Sequence, residues 1–237
     1  ADDNRPLKYA RYAIGEIVLV VIGILIALQI NTWNEERKEN NIEANYLKEM
    51  LKDYEVNLKR SNTVIDSYEK MIPTLKGLIE QSLLEKPSMS VDSLNMACMT
   101  INDMPTYSSS DRVYNNLIGS GDLRLIKNNE LKTELSIYYE KLHILKLVQT
   151  THEMELVESF QPYIINNMDF LAVAPQRLED FRLPIPKEKD KILEVLHDYE
   201  FRNTITLKWV IITDLLEQNR DLLKSNTAII ELLKDYD

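Results

Sequence analysis

The feature that most constrains this chain is an apolar run near its N-terminus. From Ala13 to Ile30 the sequence reads AIGEIVLVVIGILIALQI, in which Glu16 and Gln29 are the only polar side chains. A helix of this length rises about 27 Å, which is close to the ~30 Å hydrocarbon core of a bilayer. The run therefore predicts a transmembrane helix over residues 12–33.

A secretory signal peptide is the alternative interpretation, since it also places basic residues before an apolar run. This run exceeds the usual core of ~7 to 15 residues, and no A-x-A-like cleavage site follows it. Tyr12 and Trp33 flank the run, as aromatic side chains do at the two membrane interfaces. The next best apolar run, Trp209–Ile212, lies between charged residues and is too short to span. We expect a single-pass membrane protein.

The distribution of charge across the span predicts its orientation. Arg5, Lys8 and Arg11 precede the span, whereas glutamates outnumber basic residues in the stretch that follows it. The more basic side of a span stays in the cytoplasm. We therefore expect residues 1–11 in the cytoplasm, 12–33 in the membrane and 34–237 outside.

The part of the chain beyond the span is acidic. The formal charge is −10, and the first 30 residues hold three basic and three acidic side chains, so the excess lies after residue 30. Such a surface disfavours nucleic acid and anionic lipid as partners. Cys98 is the only cysteine, which excludes an intrachain disulfide and a thiolate zinc site. About two hundred residues are enough for one domain with its own core.

Glycine and proline are scarce enough to predict helices throughout. The chain has five glycines, and long stretches lack both breakers. We predict a first helix that continues from the span as a stalk through Ile17–Ile72, bends at Pro73 and ends near Pro87. Two more long helices are predicted over Asn129–Asn167 and Phe201–Tyr236. The predicted fold class is all-α, an antiparallel bundle of three long helices with short helices between them.

Each long helix carries an apolar stripe at heptad spacing, as a bundle core or a coiled coil requires. The first stripe comprises Leu47, Leu51, Tyr54, Leu58, Ser61, Ile65, Tyr68, Ile72, Leu75 and Ile79. The second comprises Leu131, Leu135, Tyr138, Leu142, Leu145 and Leu156. The third comprises Ile205, Trp209, Ile212, Leu216, Leu223, Ile230 and Leu233.

The connections between these helices are predicted to hold shorter elements. Val91–Ile101 and Ser109–Ile118 are predicted to be short helices, the second capped by its Ser-Ser-Ser-Asp sequence and closed by Gly119-Ser120-Gly121. Three prolines predict a loop over Phe170–Lys187, followed by a short helix over Glu188–Tyr199.

Glu16 is the unusual residue of the span, because an ionisable group in hydrocarbon is costly. Steps of four and three from Glu16 reach Gly23 and Ala27, a small-x-x-x-small pattern that lets two helices approach closely. One hypothesis is a homo-oligomer in which several Glu16 side chains meet at an ion or proton site. The other is that Glu16 reaches water or a basic group near the cytoplasmic interface, close to Arg11.

Two strings of this sequence resemble one uncharacterised bacterial membrane family, a domain of unknown function of the 6090 type. The first string is YAIGEIVLVVIGILIALQINTWNEERK, from Tyr12 to Lys38, and the second is PTYSSSDRVYNNLIGSGDLRLIKNNELKTELSIYY, from Pro105 to Tyr139. The resemblance implies an envelope protein of Gram-negative bacteria whose helical domain lies in the periplasm, outside the inner membrane. It implies no activity and no catalytic residues.

Motifs for enzyme chemistry are incomplete. His152-Glu153 begins like the zinc-protease H-E-x-x-H motif, but Leu156 stands where the second histidine is required. Neither a glycine-rich phosphate loop nor a G-x-S-x-G elbow occurs. We predict no catalytic residue, no cofactor and no metal site.

Two E-x-x-H pairs are the remaining metal hypothesis. Glu140 with His143 and Glu194 with His197 have the spacing of half a di-iron carboxylate site. Ligands in a bundle core must point inward, whereas both pairs lie beside the apolar stripes rather than on them. Solvated helix faces are the preferred interpretation.

Three functions from different classes fit these observations. The preferred one is a membrane-anchored binding or scaffold protein that forms a homo-oligomer and contacts the lipid bilayer and an envelope protein. The second is an oligomeric transmembrane assembly with Glu16 in an ion or proton path. The third is a ligand-sensing domain that signals through a separate partner, since no cytoplasmic output domain is present in the sequence.

Overall fold

The structure is a computed structural model that describes the backbone of residues 5–173, 188 and 190–235, and side chains from Tyr12 onward. Within these ranges all regular secondary structure is helical and no strand occurs, which confirms the all-α fold class. The helices are α1 (Arg5–Leu83), α2 (Val91–Asn102), α3 (Arg112–Gly119), α4 (Asn129–Glu155), α5 (Gln161–Asn167), α6 (Phe170–Val173), α7 (Lys191–Val195) and α8 (Tyr199–Lys234). A 3-10 turn covers Asp122–Leu125, and a π-helical turn covers Leu156–Phe160.

Helix α1 contains both the apolar span and the first core helix of the bundle. Its 79 residues form one α-helix that continues through Pro73 and ends at Leu83, a little before the predicted end near Pro87. The early end has a local cause. The side-chain oxygen of Gln81 accepts hydrogen bonds from the backbone N–H groups of Ser88 and Met89, at 2.7 and 3.1 Å. These bonds hold the turn that follows the helix.

Internal contacts divide the described chain into two compact units. One comprises the described residues up to Met50 together with Arg112–Lys127. The other comprises Leu51–Asp111 and the described part of Asn128–Asp237, and it contains the bundle.

In the bundle, α8 runs antiparallel to both α1 and α4. Tyr54 of α1 lies beside Asn226, whereas Glu69, further along α1, contacts Arg220. Lys141 of α4 contacts Ser225, and His152, further along α4, contacts Lys208. Helices α1 and α4 are therefore parallel to each other, which requires a connection that returns the chain along the bundle.

An extended segment, Asp103–Asp111, makes this return, and we call it the strap. It has no helix or strand, and it follows α2 and precedes α3. Its residues Pro105 and Ser110 contact Tyr68 and Asn57 of α1. The eleven-residue step along α1 and the five-residue step along the strap both measure about 16 Å, at 1.5 and 3.3 Å per residue. The strap is therefore nearly fully extended and antiparallel to α1.

The predicted stripe of α1 is correct at six of its ten positions and wrong at four. Leu47, Tyr54, Ser61, Tyr68 and Leu75 are buried as predicted. The alternating positions lie one residue earlier than predicted. The buried side chains there are those of Met50, Asn57, Val64, Met71 and Leu78. The predicted residues that are only half-buried are Leu51, Leu58, Ile72 and Ile79. Ile65 is buried as well.

The stripe of α4 is confirmed, since all six of its predicted residues are buried. The α8 stripe needs two corrections. Lys208 and Leu222 occupy the buried positions, whereas their neighbours Trp209 and Leu223 are half-buried. At Lys208, as at Asn57 of α1, a polar residue occupies a core position where sequence reading expects an apolar one.

Three of the four predicted short elements have different bounds. The predicted Ser109–Ile118 helix begins at Arg112 instead, because Ser110 is bound into the strap. The predicted Glu188–Tyr199 helix is reduced to Lys191–Val195, and α8 begins at Tyr199. Of the predicted loop Phe170–Lys187, the first four residues form α6 and the rest lies outside the described residues. The predicted Val91–Ile101 helix is confirmed, with Ser90 as its N-cap.

Candidate functional site

The residues singled out in the span all lie on α1 with exposed side chains. Tyr12 and Trp33 are 71% and 61% exposed, and Glu16, Gly23, Ala27 and Gln29 are exposed as well. A Cβ atom built on Gly23 would meet no atom within 4 Å. The fold itself therefore does not require glycine at this position. Among the described helices, α1 is the one long and apolar enough to cross a membrane.

The two E-x-x-H pairs are not brought together into a buried site. Glu140, His143, Glu194 and His197 are all exposed. The described residues hold no group of three or more His, Cys, Asp or Glu side chains with the geometry of a metal site. The structure gives the di-iron hypothesis no support.

Buried polar side chains of α1 hold the strap by its backbone. The amide of Asn57 donates to the carbonyl oxygen of Ser110 at 3.0 Å and accepts from the Ser110 N–H at 2.6 Å. The hydroxyl of Tyr68 donates to the carbonyl of Pro105 at 2.5 Å. An extended segment without a neighbouring strand needs such partners, because a buried backbone group left unpaired costs about 1–3 kcal/mol.

Helix α4 contributes a second set of strap contacts. Gln149 accepts from the N–H of Tyr107 and donates to its carbonyl, both at 3.1 Å. The Tyr107 hydroxyl lies 2.8 Å from that of Tyr138 in the core, and burial raises the pKa of both phenols. An open groove of about 400 Å³ follows the strap here, lined by Met104, Thr106, Lys146, Gln149, Thr150 and Glu153.

Lys208 of α8 makes the third contact, at the start of the strap. Its ammonium donates to the carbonyl of Asp103 and to Nε2 of His152, both at 2.7 Å, and neither Lys208 nor His152 is exposed to solvent. The Lys208 Nζ atom also lies 5.3 Å from the ring centroid of Phe160, within cation–π range. Phe160 is the last residue of the π-helical turn, an irregularity that occurs often at functional sites.

Burial changes the protonation of this pair. It lowers the pKa of Lys208 to about 7, although the carboxyl group of Asp103 opposes the change. Burial and, to a smaller extent, the charge of Lys208 together lower the pKa of His152 to about 4. Burial also raises the pKa of the Asp103 carboxyl, against the attraction of Lys208. A perturbed buried pair of this kind is a candidate functional site.

The other compact unit has a polar cluster around the Ser120-Gly121 turn. Gly121 adopts the left-handed conformation, with φ of 75°, which glycine tolerates best. The hydroxyls of Ser120 and Tyr46 donate to the Asp122 carboxylate at 2.8 and 2.9 Å and lower its pKa. A groove of about 230 Å³ lies nearby, lined by Ile42, Asn45, Tyr46, Glu49, Arg112, Val113 and Asn116.

Sequence reasoning missed the residues that hold the strap, although their spacing contained a signal. Gln149 and His152 continue the α4 stripe after Leu145 in steps of four and three. Lys208 stands at the same spacing between Ile205 and Ile212. Polar residues at core positions of a heptad indicate a buried polar partner, and here that partner is the strap.

Comparison with known proteins places this architecture in one family. A protein-family model described as a family of unknown function, DUF6090, matches residues 16–169, about two thirds of the chain. The matched range includes most of the apolar span, the strap and α4. Neither the curated proteins nor the solved structures contain a match.

Proposed function

The chain belongs to the DUF6090 family, and from this premise we propose that it is a non-catalytic, membrane-anchored binding or scaffold protein of the bacterial inner membrane. The observation that carries the proposal is the continuity of α1, in which one helix contains the apolar span and a core helix of the bundle. We infer that this helix anchors the bundle to the membrane.

The charge and the exposed surface of the span support this assignment. The side chains of the apolar run are 47–74% exposed at its large hydrophobic positions, a surface that needs lipid or another helix to cover it. The acidic excess beyond residue 30 favours a basic or neutral protein partner in the envelope over nucleic acid. The assignment of 1–11, 12–33 and 34–237 to cytoplasm, membrane and periplasm stays a prediction.

Self-association through the span is part of the proposal. Glu16, Gly23 and Ala27 are exposed on α1, and the space beside Gly23 is open to an approaching helix. Light scattering of the full chain in detergent tests it. We expect a defined oligomer that dissociates in Gly23→Ile and persists in Gly15→Ile, a matched control at the other glycine of the span. Dissociation by both variants, or by neither, would contradict the assignment of this face.

Topology is tested separately by thiol labelling. A single cysteine introduced as Glu36→Cys, with Cys98→Ser, places an exposed thiol just beyond Trp33. We expect a membrane-impermeant maleimide to label this cysteine from the periplasmic side of intact cells whose outer membrane has been permeabilised. Labelling that requires lysis of the inner membrane would reverse the predicted orientation.

A further inference from the structure

The pair formed by Lys208 and His152 can accommodate one positive charge but not two. A protonated Lys208 can only donate, so at a distance of 2.7 Å Nε2 of a neutral His152 must be the acceptor and the ring proton must reside on Nδ1. The buried Nδ1 atom has no hydrogen-bond partner among the described residues. A doubly protonated pair would place two cations at hydrogen-bond distance, away from water, which is strongly unfavourable.

Few charged groups act on this pair. The Asp103 carboxyl, on the strap, attracts the Lys208 ammonium. His152, on α4, faces the same ammonium and is repelled by it when protonated. From the π-helical turn, the face of Phe160 contributes a favourable but weaker interaction with the ammonium. The Asp103 carboxyl is itself harder to ionise than an ordinary aspartate, so acid weakens this compensation as well.

We propose that Lys208 and His152 form a proton-operated latch, which holds the start of the strap against the bundle at neutral pH and releases it when His152 takes up a proton. Protonation of His152 removes the acceptor at Nε2 and repels the Lys208 ammonium. Lys208 then leaves the carbonyl of Asp103, and the strap loses the anchor at its first residue. Acidification of the compartment that contains the bundle would therefore open the strap locally.

The release is local because the uncharged anchors of the strap described above do not titrate in this range. Asn57 and Gln149 carry neutral amides, and burial raises the pKa of the Tyr68 hydroxyl, which remains protonated. The segment closest to the latch, from Asp103 to Tyr107, should open first. Only a part of the bundle surface is involved, so the long helices keep their packing.

Hydrogen exchange of the full chain in detergent micelles tests the latch. When opening is coupled to uptake of one proton, the opening equilibrium increases about tenfold for each pH unit between the open and closed pKa values of the group. We therefore expect protection of a peptide covering the strap, corrected for intrinsic exchange, to fall about tenfold per unit between pH 6 and pH 5. Peptides from the middle of α8 should keep their protection.

Two histidine variants distinguish the latch from general acid unfolding. His152→Gln retains a hydrogen-bond acceptor but does not titrate, and the pH dependence of strap protection should disappear. His143→Gln, on the exposed face of the same helix, should behave as the wild type. Equal pH dependence in His152→Gln and the wild type, or none in the wild type, would overturn the proposal.

A lysine variant keeps the proposal testable if His152→Gln does not fold. In Lys208→Met the strap should be less protected at every pH and less pH-dependent than in the wild type, because no cation repels the imidazolium and only burial still opposes its charge. The imidazole NMR signal of His152, one of three histidines, should also titrate at higher pH in Lys208→Met than in the wild type. An unchanged His152 titration would refute coupling between the two groups.

Discussion

The hydroxyl pair of Tyr107 and Tyr138 offers the sharpest test of how the strap is held. The two oxygen atoms lie 2.8 Å apart, and the residues are 2% and 0% exposed. Changing either tyrosine to phenylalanine removes one oxygen and leaves the other hydroxyl buried without this partner. Each single change should therefore lower the free energy of unfolding by about 1–3 kcal/mol.

The double variant Tyr107→Phe/Tyr138→Phe should cost less than the sum of the single changes. With both hydroxyls absent, no buried group loses its partner, and replacement of a hydrogen-bonded pair by apolar groups of the same shape is often nearly neutral. The edge-to-face contact between Tyr54 and Tyr138, at 5.1 Å, is retained by phenylalanine. We expect a coupling of about 1 kcal/mol or more, in the range found for residues in direct contact.

Urea unfolding of the full chain in detergent, followed by near-ultraviolet circular dichroism, measures this cycle. The four proteins must show the same dependence on urea for the comparison to hold. Tyr199→Phe is the control, because Tyr199 is 76% exposed and its change should stay within about 0.5 kcal/mol. Strict additivity of the two single changes would refute the paired hydroxyls and the placement of the strap against α4.

Three further predictions concern the same unit. Asn57→Ala should lower the free energy of unfolding by about 1–3 kcal/mol. It should also speed hydrogen exchange of the Ser110 amide, which donates to Asn57. Unchanged exchange would mean that Ser110 is held in another way. The pKa of Lys208 is about 7 in the folded protein and about 10.5 in the unfolded chain. Between these values the unfolded chain binds more protons than the folded protein. The stability of the wild type should therefore rise with pH above 7. This rise should be absent in Lys208→Met, as measured by unfolding at pH 7 and 9. Cys98 is fully buried, and burial raises the pKa of its thiol to about 12. A maleimide should therefore label it only as fast as the protein opens, which mass spectrometry can follow. Rapid labelling of the native protein would contradict its burial.

The sequence was informative wherever a pattern is local. An unbroken apolar run predicts the helix that can cross a membrane, and the α4 stripe from Leu131 to Leu156 predicts its buried face correctly. The rarity of glycine and proline predicts the helical class. Each of these follows from the geometry of a single helix, which repeats every 3.6 residues regardless of its neighbours.

The strap could not be predicted because its support comes from distant parts of the chain. Asn57, Gln149 and Lys208 are separated by many residues, and each looks like an interruption of its own stripe. Their role appears only when a strand-like segment without a strand partner lies among three helices. For the same reason the sequence predicted a capped helix at Ser109, where the structure has the end of the strap.

Sequence patterns were sufficient to predict a helix long and apolar enough to cross a membrane, the all-α class and the family, because each depends on residues close together along the chain. The parallel arrangement of α1 and α4, with the strap returning between them, became visible only in the folded structure. The tertiary structure also decided that a lysine and a histidine 56 residues apart share a buried site. Long-range packing sets which polar group is buried, and burial sets its protonation.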